Sequence, residues 1–203
     1  MPSTRKLINE CWQFSSDKKG FSRLGVFSRL VLAKSLAIER RSKKVFILSG
    51  DIQTGKTTSL LNWIGNRNDV HGILTPVVNG KRVFLDIKTK EQFRMEAEEG
   101  EKDIISIGRY KFSSKKFEKA KQLIQNAMQK DGWLIIDEIG PLELNGEGFH
   151  NVLVEALNSS QQKILLVVRN SILEEVKKRY RISNPVIIKN INAIGEQREL
   201  IPG

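Results

Sequence analysis

The chain has 203 residues, 39% hydrophobic and 28% charged, which fits one packed domain of roughly 150 residues with an appendage and argues against wholesale disorder. One cysteine, Cys11, leaves no intrachain disulfide and points to a reducing, cytoplasmic setting; with only two histidines beside it no zinc finger can form, and no apolar stretch approaches the ~18–20 residues of a membrane span. The formal net charge of +11 is local: residues 1–49 hold eleven Lys/Arg against three Asp/Glu, and the other 154 residues carry only +3.

Ser3 to Ser15 reads as a short amphipathic helix with Leu7, Ile8, Cys11 and Trp12 on one side. Ser16 to Gly20 is a polar break. A second helix is expected over about Ser22 to Arg41, with Leu24, Phe27, Leu30, Val31, Ala37 and Ile38 apolar and Arg23, Arg29, Lys34, Arg40 and Arg41 between them. Residues 1–42 are therefore read as a basic helical appendage whose apolar faces pack on a main domain at 43–203. A nucleic-acid or membrane-surface role for the basic side is the less favoured reading. An organellar transit peptide is a third, against which Glu10, Asp17 and Glu39 count.

From Lys43 the pattern changes. Val45 to Leu48, Trp133 to Ile136, Ile164 to Val168 and Val186 to Ile188 are short apolar runs that read as buried strands. Helices are expected over Ser114 to Lys130, Phe149 to Leu157 and Ile172 to Tyr180. Continuous apolar strands separated by helices predict a mostly parallel sheet covered on both faces. Between Leu74–Val78 and Lys81–Asp86 stands Asn79-Gly80, a strong hairpin signal. Residues 71–112 are expected to extend the sheet with antiparallel strands.

Two motifs carry chemistry. Gly50-Asp51-Ile52-Gln53-Thr54-Gly55-Lys56-Thr57 fits G-x-x-x-x-G-K-[ST], the Walker A pattern, with an apolar strand leading in and a helix over Thr57 to Ile64 leading out. Successive backbone N–H groups through Thr58 can curl around a phosphate at the positive end of that helix. Lys56 places a cation on the β- and γ-phosphates, and the Thr57 hydroxyl can ligate Mg²⁺. The second motif is Leu134-Ile135-Ile136-Asp137-Glu138, a strand ending in two carboxylates. In a doubly wound sheet that end lies beside the phosphate loop. Asp137 is expected to hold Mg²⁺, as a Walker B aspartate does. Glu138, turned elsewhere by strand alternation, is expected to orient and deprotonate an attacking water. Arg169 and Asn170 follow the strand Ile164–Val168 on the same edge. Either could reach the γ-phosphate, Arg169 as an arginine finger in cis, although a surface arginine is the competing reading. His71 and His150 read as surface or packing residues, and Trp63 and Trp133 as core.

With these motifs the chain resembles the P-loop nucleoside-triphosphatases typified by the thermophile and the vertebrate cancer-related enzymes. The resemblance covers about residues 44 to 190. It rests on Gly50–Thr58, Thr75-Pro76, Gly108-Arg109-Tyr110, and above all Asp137-Glu138-Ile139-Gly140-Pro141-Leu142-Glu143-Leu144. It implies a RecA-like three-layer α/β sandwich and Mg²⁺-dependent hydrolysis of ATP, GTP or other triphosphates, with broad base tolerance and low turnover. The chain departs from the pattern at Ile52-Gln53-Thr54, where proline and glycine are usual, and at Val77, where an acidic residue usually follows Thr-Pro. Residues 1–42 lie outside it. Glu143 is expected to anchor its loop by hydrogen bonds, and Arg109 either to approach the nucleotide or to form a salt bridge.

Two other functions share this loop and metal. A small-molecule or nucleotide kinase would pass the phosphoryl group to a hydroxyl held by residues 71–112. A nucleotide-dependent switch would act on a protein or nucleic-acid partner. A dedicated GTPase is disfavoured, because no [NT]-K-x-D tetrapeptide is present and Asn190-Ile191-Asn192-Ala193 lacks both charged members.

Overall fold

The computed structural model describes residues 45–51, 54–108, 110–159 and 162–196. The two helices expected over Ser3 to Ser15 and Ser22 to Arg41 lie outside the described residues, as do Ile52, Gln53 and Arg109.

The apolar runs form parallel strands. β1 (Val45–Gly50) pairs with β9 (Lys163–Arg169) on one side and β10 (Val186–Ile188) on the other. β8 (Trp133–Ile139) lies between β9 and β2 (Val70–Leu74), again with parallel pairing. Among the described residues the sheet order is β10-β1-β9-β8-β2-β4-β3, with β5 also on β4. β4 (Lys81–Asp86) runs antiparallel to β2, to β3 (Val77–Val78) and to β5 (Gln92–Arg94).

Because strand residues alternate in direction, the inner parallel strands β1, β9, β8 and β2 serve both faces. Ile47, Leu134, Ile136, Leu166 and Val168 pack on one side with Phe117, Ala120 and Ile124 of α2 (Ser114–Ala127), Val152, Leu153 and Ala156 of α4 (His150–Ser159), and Val176 of α5 (Leu173–Arg179). Phe46, Leu48, Trp133, Ile135, Leu165 and Val167 pack on the other with Leu60 and Ile64 of α1 (Lys56–Ile64). The result is the expected three-layer α/β sandwich. Trp63 and Trp133 meet edge to face at 5.5 Å within the second core. Short α3 (Pro141–Leu144) follows β8, and α6 (Ala193–Glu196) ends the described chain.

Two expectations need correction. The strand placed at Leu74–Val78 is instead β2 at Val70–Leu74, a central parallel strand, followed after Thr75-Pro76 by the two-residue β3. His71 and Gly72 weaken the apolar signature of β2, so the sequence pattern misplaced its start. The antiparallel extension also stops early. β6 (Ile104–Ile107) and β7 (Tyr110–Ser113) form a separate two-stranded ladder, tied to the preceding segment by a Glu96–Phe112 bridge. The acidic run from Glu96 to Asp103, with a turn at Gly100, interrupts the pairing.

Candidate active site

The loop after β1 and the acidic end of β8 are separated by one strand, β9, so three strand ends line one edge. α1 begins at Lys56, directly behind Gly55, whose φ of 75° turns the chain into the helix. This left-handed conformation is inexpensive for glycine alone. The Lys56 ammonium lies across the loop and donates to the carbonyls of Gly50 (3.0 Å) and Asp51 (2.5 Å). Thr54 Oγ1 donates to the Asp51 carbonyl at 2.9 Å.

Thr57 and Asp137 meet: Thr57 Oγ1 donates to Asp137 Oδ2 at 3.1 Å across 80 residues of sequence. The same oxygen accepts the Thr75 backbone N–H at 3.0 Å. Asp137 is 1% exposed. Burial is the main reason its pKa rises from the ordinary 3.8 to about 6, with the neighbouring Glu138 charge adding to it and the Thr75 and Thr57 hydrogen bonds opposing it.

Glu138 faces two guanidinium groups. Arg169 Nε donates to Oε1 at 2.5 Å, and Arg82 Nη1 stands 3.6 Å from Oε2. The Glu138 partnership raises the Arg169 pKa further. The β8–β9 register slips between Ile136 and Ile139, and the Asp137–Glu138 peptide is cis. Asp137 turns to Thr57 and Thr75 and Glu138 to Arg169 and Arg82, while both carboxylates line one cleft of about 410 Å³ with Thr54 to Thr58, Thr75, Arg82 and Arg169. Arg169 thus stands against Glu138. Asn170 turns the other way, accepting from Ser49 Oγ at 2.7 Å and donating to Asp51 Oδ1 at 3.2 Å.

Glu143 lies behind this edge, 3% exposed. Its carboxylate accepts the backbone N–H groups of Gly140 (2.8 Å) and Phe149 (3.0 Å), so it fastens the loop after β8. Tyr180 Oη donates to its carbonyl at 2.7 Å, and His150 Nδ1 packs 3.0 Å from the same hydroxyl.

Thr75 and Arg82 join the cleft although neither was singled out as a site residue. The Thr75-Pro76 pair was a usable signal for the first. Arg82 has none, because only the pairing of β4 with β2 and β3 carries it to Glu138.

The donor set suits a hard divalent cation. Asp137 and Thr57 offer oxygen ligands only, and a buried carboxylate with a raised pKa is a group that bound positive charge would compensate. Among the described residues no cluster of three or more His, Cys, Asp or Glu forms a cage of its own. That is the usual situation for Mg²⁺, which shares its ligands with substrate phosphates.

A family model described as NTPase matches residues 45–201. The chain belongs to the NTPase family. Nucleoside-triphosphatase THEP1 from Saccharolobus solfataricus is 30% identical over 139 residues, covering 64% of this chain and 78% of that protein. The protein of the same name from Methanothermobacter thermautotrophicus is 32% identical over 143 residues, covering 66% and 80%. In fold, the NTPase-family chain resembles crystalline THEP1 from Aquifex aeolicus (TM-score 0.57, 19% identity, covering 77% of this chain and 96% of that one). It also resembles the solution structure of a human cancer-related nucleoside triphosphatase (TM-score 0.55, 19% identity, covering 78% and 100%).

Proposed function

We propose that this NTPase-family chain hydrolyses nucleoside triphosphates to the diphosphate and phosphate, with Mg²⁺ and at low turnover. The observation that carries the reading is the contact of Thr57 with Asp137, which joins the loop to the acidic strand end. The matched relatives bear the name nucleoside-triphosphatase. Broad base tolerance accords with the missing guanine-reading tetrapeptide, and a cytoplasmic site of action with the single cysteine.

In this reading the backbone amides of residues 50–58 cradle the phosphates, and Lys56 leaves the carbonyls of Gly50 and Asp51 for the phosphate oxygens. Thr57 and Asp137 would hold Mg²⁺, which when bound neutralises charge on the β- and γ-phosphate oxygens. Glu138 orients the attacking water and takes its proton. Arg169 and Arg82 hold Glu138 in position and bring positive charge to the developing phosphoryl charge, so that positioning and electrostatics supply most of the acceleration.

Phosphate release from ATP and GTP with Mg²⁺, and with no added acceptor, tests this. Lys56→Ala and Glu138→Gln are each expected to reduce it about 100-fold or more. Absence of release from the unaltered chain, or full activity in both variants, overturns the reading.

A further inference from the structure

The sheet order gives a bound triphosphate a direction. Glu138, on β8, marks the reacting end; the phosphate loop follows β1, and β10 lies on the other side of β1. With the γ-phosphate at Glu138, the nucleoside end is directed across the loop towards β10. A cavity of about 540 Å³ stands on that side, a volume within the usual span of small-molecule sites. Thr54 and Lys56 line both this cavity and the cleft of the acidic pair, so the loop is the wall common to the two spaces. Ser59 of α1 borders the cavity, and the segment after β10 supplies Lys189, Asn190 and Asn192. The segment that lacks the charges of a guanine-reading tetrapeptide therefore faces the phosphate loop.

Its polar groups are not equivalent. Asn190 Oδ1 accepts the Asn192 backbone N–H at 3.0 Å. That bond fixes the Asn190 amide and turns its donor group, Nδ2, outward. Lys189, beside it, carries donors only. The Asn192 side-chain amide can both donate and accept. All three residues are exposed. The Asn170 amide, by contrast, is engaged within the protein, accepting from Ser49 and donating to Asp51.

We propose that the base of the nucleotide binds in this cavity against Lys189, Asn190 and Asn192, and that the donors at 189 and 190 favour bases with a ring carbonyl over those with an amino group at the same position. The inference rests on the triphosphate reading of the adjoining cleft. All the common bases enter, because Asn192 serves donors and acceptors alike. A ring carbonyl accepts from Asn190 Nδ2, whereas an exocyclic amino group meets it donor to donor and forfeits the hydrogen bond.

The full chain is assayed for phosphate release with Mg²⁺ and two pairs of nucleotides, ITP against ATP and UTP against CTP. Within each pair the base exchanges a carbonyl for an amino group at one ring position. The carbonyl member is expected to show a kcat/KM about threefold higher or more. Asn190→Asp keeps the acceptor for the Asn192 N–H and replaces the outward donor with an acceptor, so it should reverse the order in both pairs. Ser59→Trp, at an exposed helix position, fills the cavity and should raise KM for all four nucleotides about tenfold. Inorganic tripolyphosphate, which has no base, probes the phosphate loop alone. Its Ki against ATP hydrolysis should be the same in Ser59→Trp as in the parent. Hydrolysis with equal kcat/KM within each pair, or the parental order in Asn190→Asp, overturns the base site and leaves the hydrolase reading standing. Ser59→Trp with parental KM values, or with tripolyphosphate weakened as much as the nucleotides, likewise refutes the base site. Absence of phosphate release from all four nucleotides overturns the hydrolase reading and the base site together.

Discussion

Glu143 and Asp137 are buried carboxyls with different tasks. Glu143 satisfies two backbone N–H groups that have no water to turn to, and burial lifts its pKa to about 7. Glu143→Ala orphans both donors and is expected to cost about 2–4 kcal/mol of stability, with a smaller loss for Glu143→Gln. Chemical denaturation measures this, and an alanine variant as stable as the parent would contradict the anchoring role. For Asp137 the sign of the pH effect follows from burial. Its folded-state pKa, about 6, lies above the ordinary 3.8, so the native chain binds more protons between those values and stability falls as pH rises through that window. In the absence of nucleotide, Asp137→Asn should therefore gain in melting temperature relative to the parent as pH is raised from about 4 to about 6.5. A difference that is flat or runs the other way would show that the carboxyl is not desolvated as described. For the free enzyme, kcat/KM for hydrolysis should carry an acid limb near pH 6, where Asp137 ionises.

Strand β2 shows how one residue can govern an element. Gly72 has φ of 115°, and a Cβ built there would stand 2.1 Å from the Ile135 carbonyl oxygen of β8. No side chain can relieve that contact, because the obstacle is backbone. Gly72→Ala must push β2 from β8 and carry the Thr75 N–H away from Asp137. A loss of about 3 kcal/mol or more is expected, with weakened nucleotide binding. Thermal unfolding and titration calorimetry measure the two effects, and a variant with parental stability would refute the tight packing. The same strand explains what sequence reading missed. Trp133–Ile136 and Ile164–Val168 are unbroken apolar runs that read directly as strands, whereas Val70-His71-Gly72-Ile73-Leu74 mixes a histidine and a glycine into its run. The Asn79-Gly80 turn and the helix after Ser113 were legible because their signals are local; Ser113 Oγ caps that helix by accepting the Lys116 N–H at 3.2 Å.

At the scale of the whole molecule, we propose the division into 1–42 and 43–203 from the charge surplus of the first segment and the change of pattern at Lys43. A fragment of residues 43–203 is expected to fold cooperatively and bind nucleotide, with lower solubility if the basic helices cover apolar surface. Circular dichroism and sedimentation of that fragment check the outcome, and undiminished solubility would remove the docking role of residues 1–42. Among the described residues no helix is long and apolar enough to cross a membrane.

The Gly50–Thr57 loop motif, the carboxylate pair at a strand end and the layered α/β class follow from the sequence by itself, since each depends on neighbours within one or two turns of chain: glycine where the backbone bends, apolar runs where strands are buried on both faces. The tertiary structure alone decided that β9 intervenes between β1 and β8, that Arg169 and Arg82 converge on Glu138, and that the Thr75 amide reaches Asp137. These contacts join residues tens of positions apart. Strand order and register set them, and local periodicity carries no record of either.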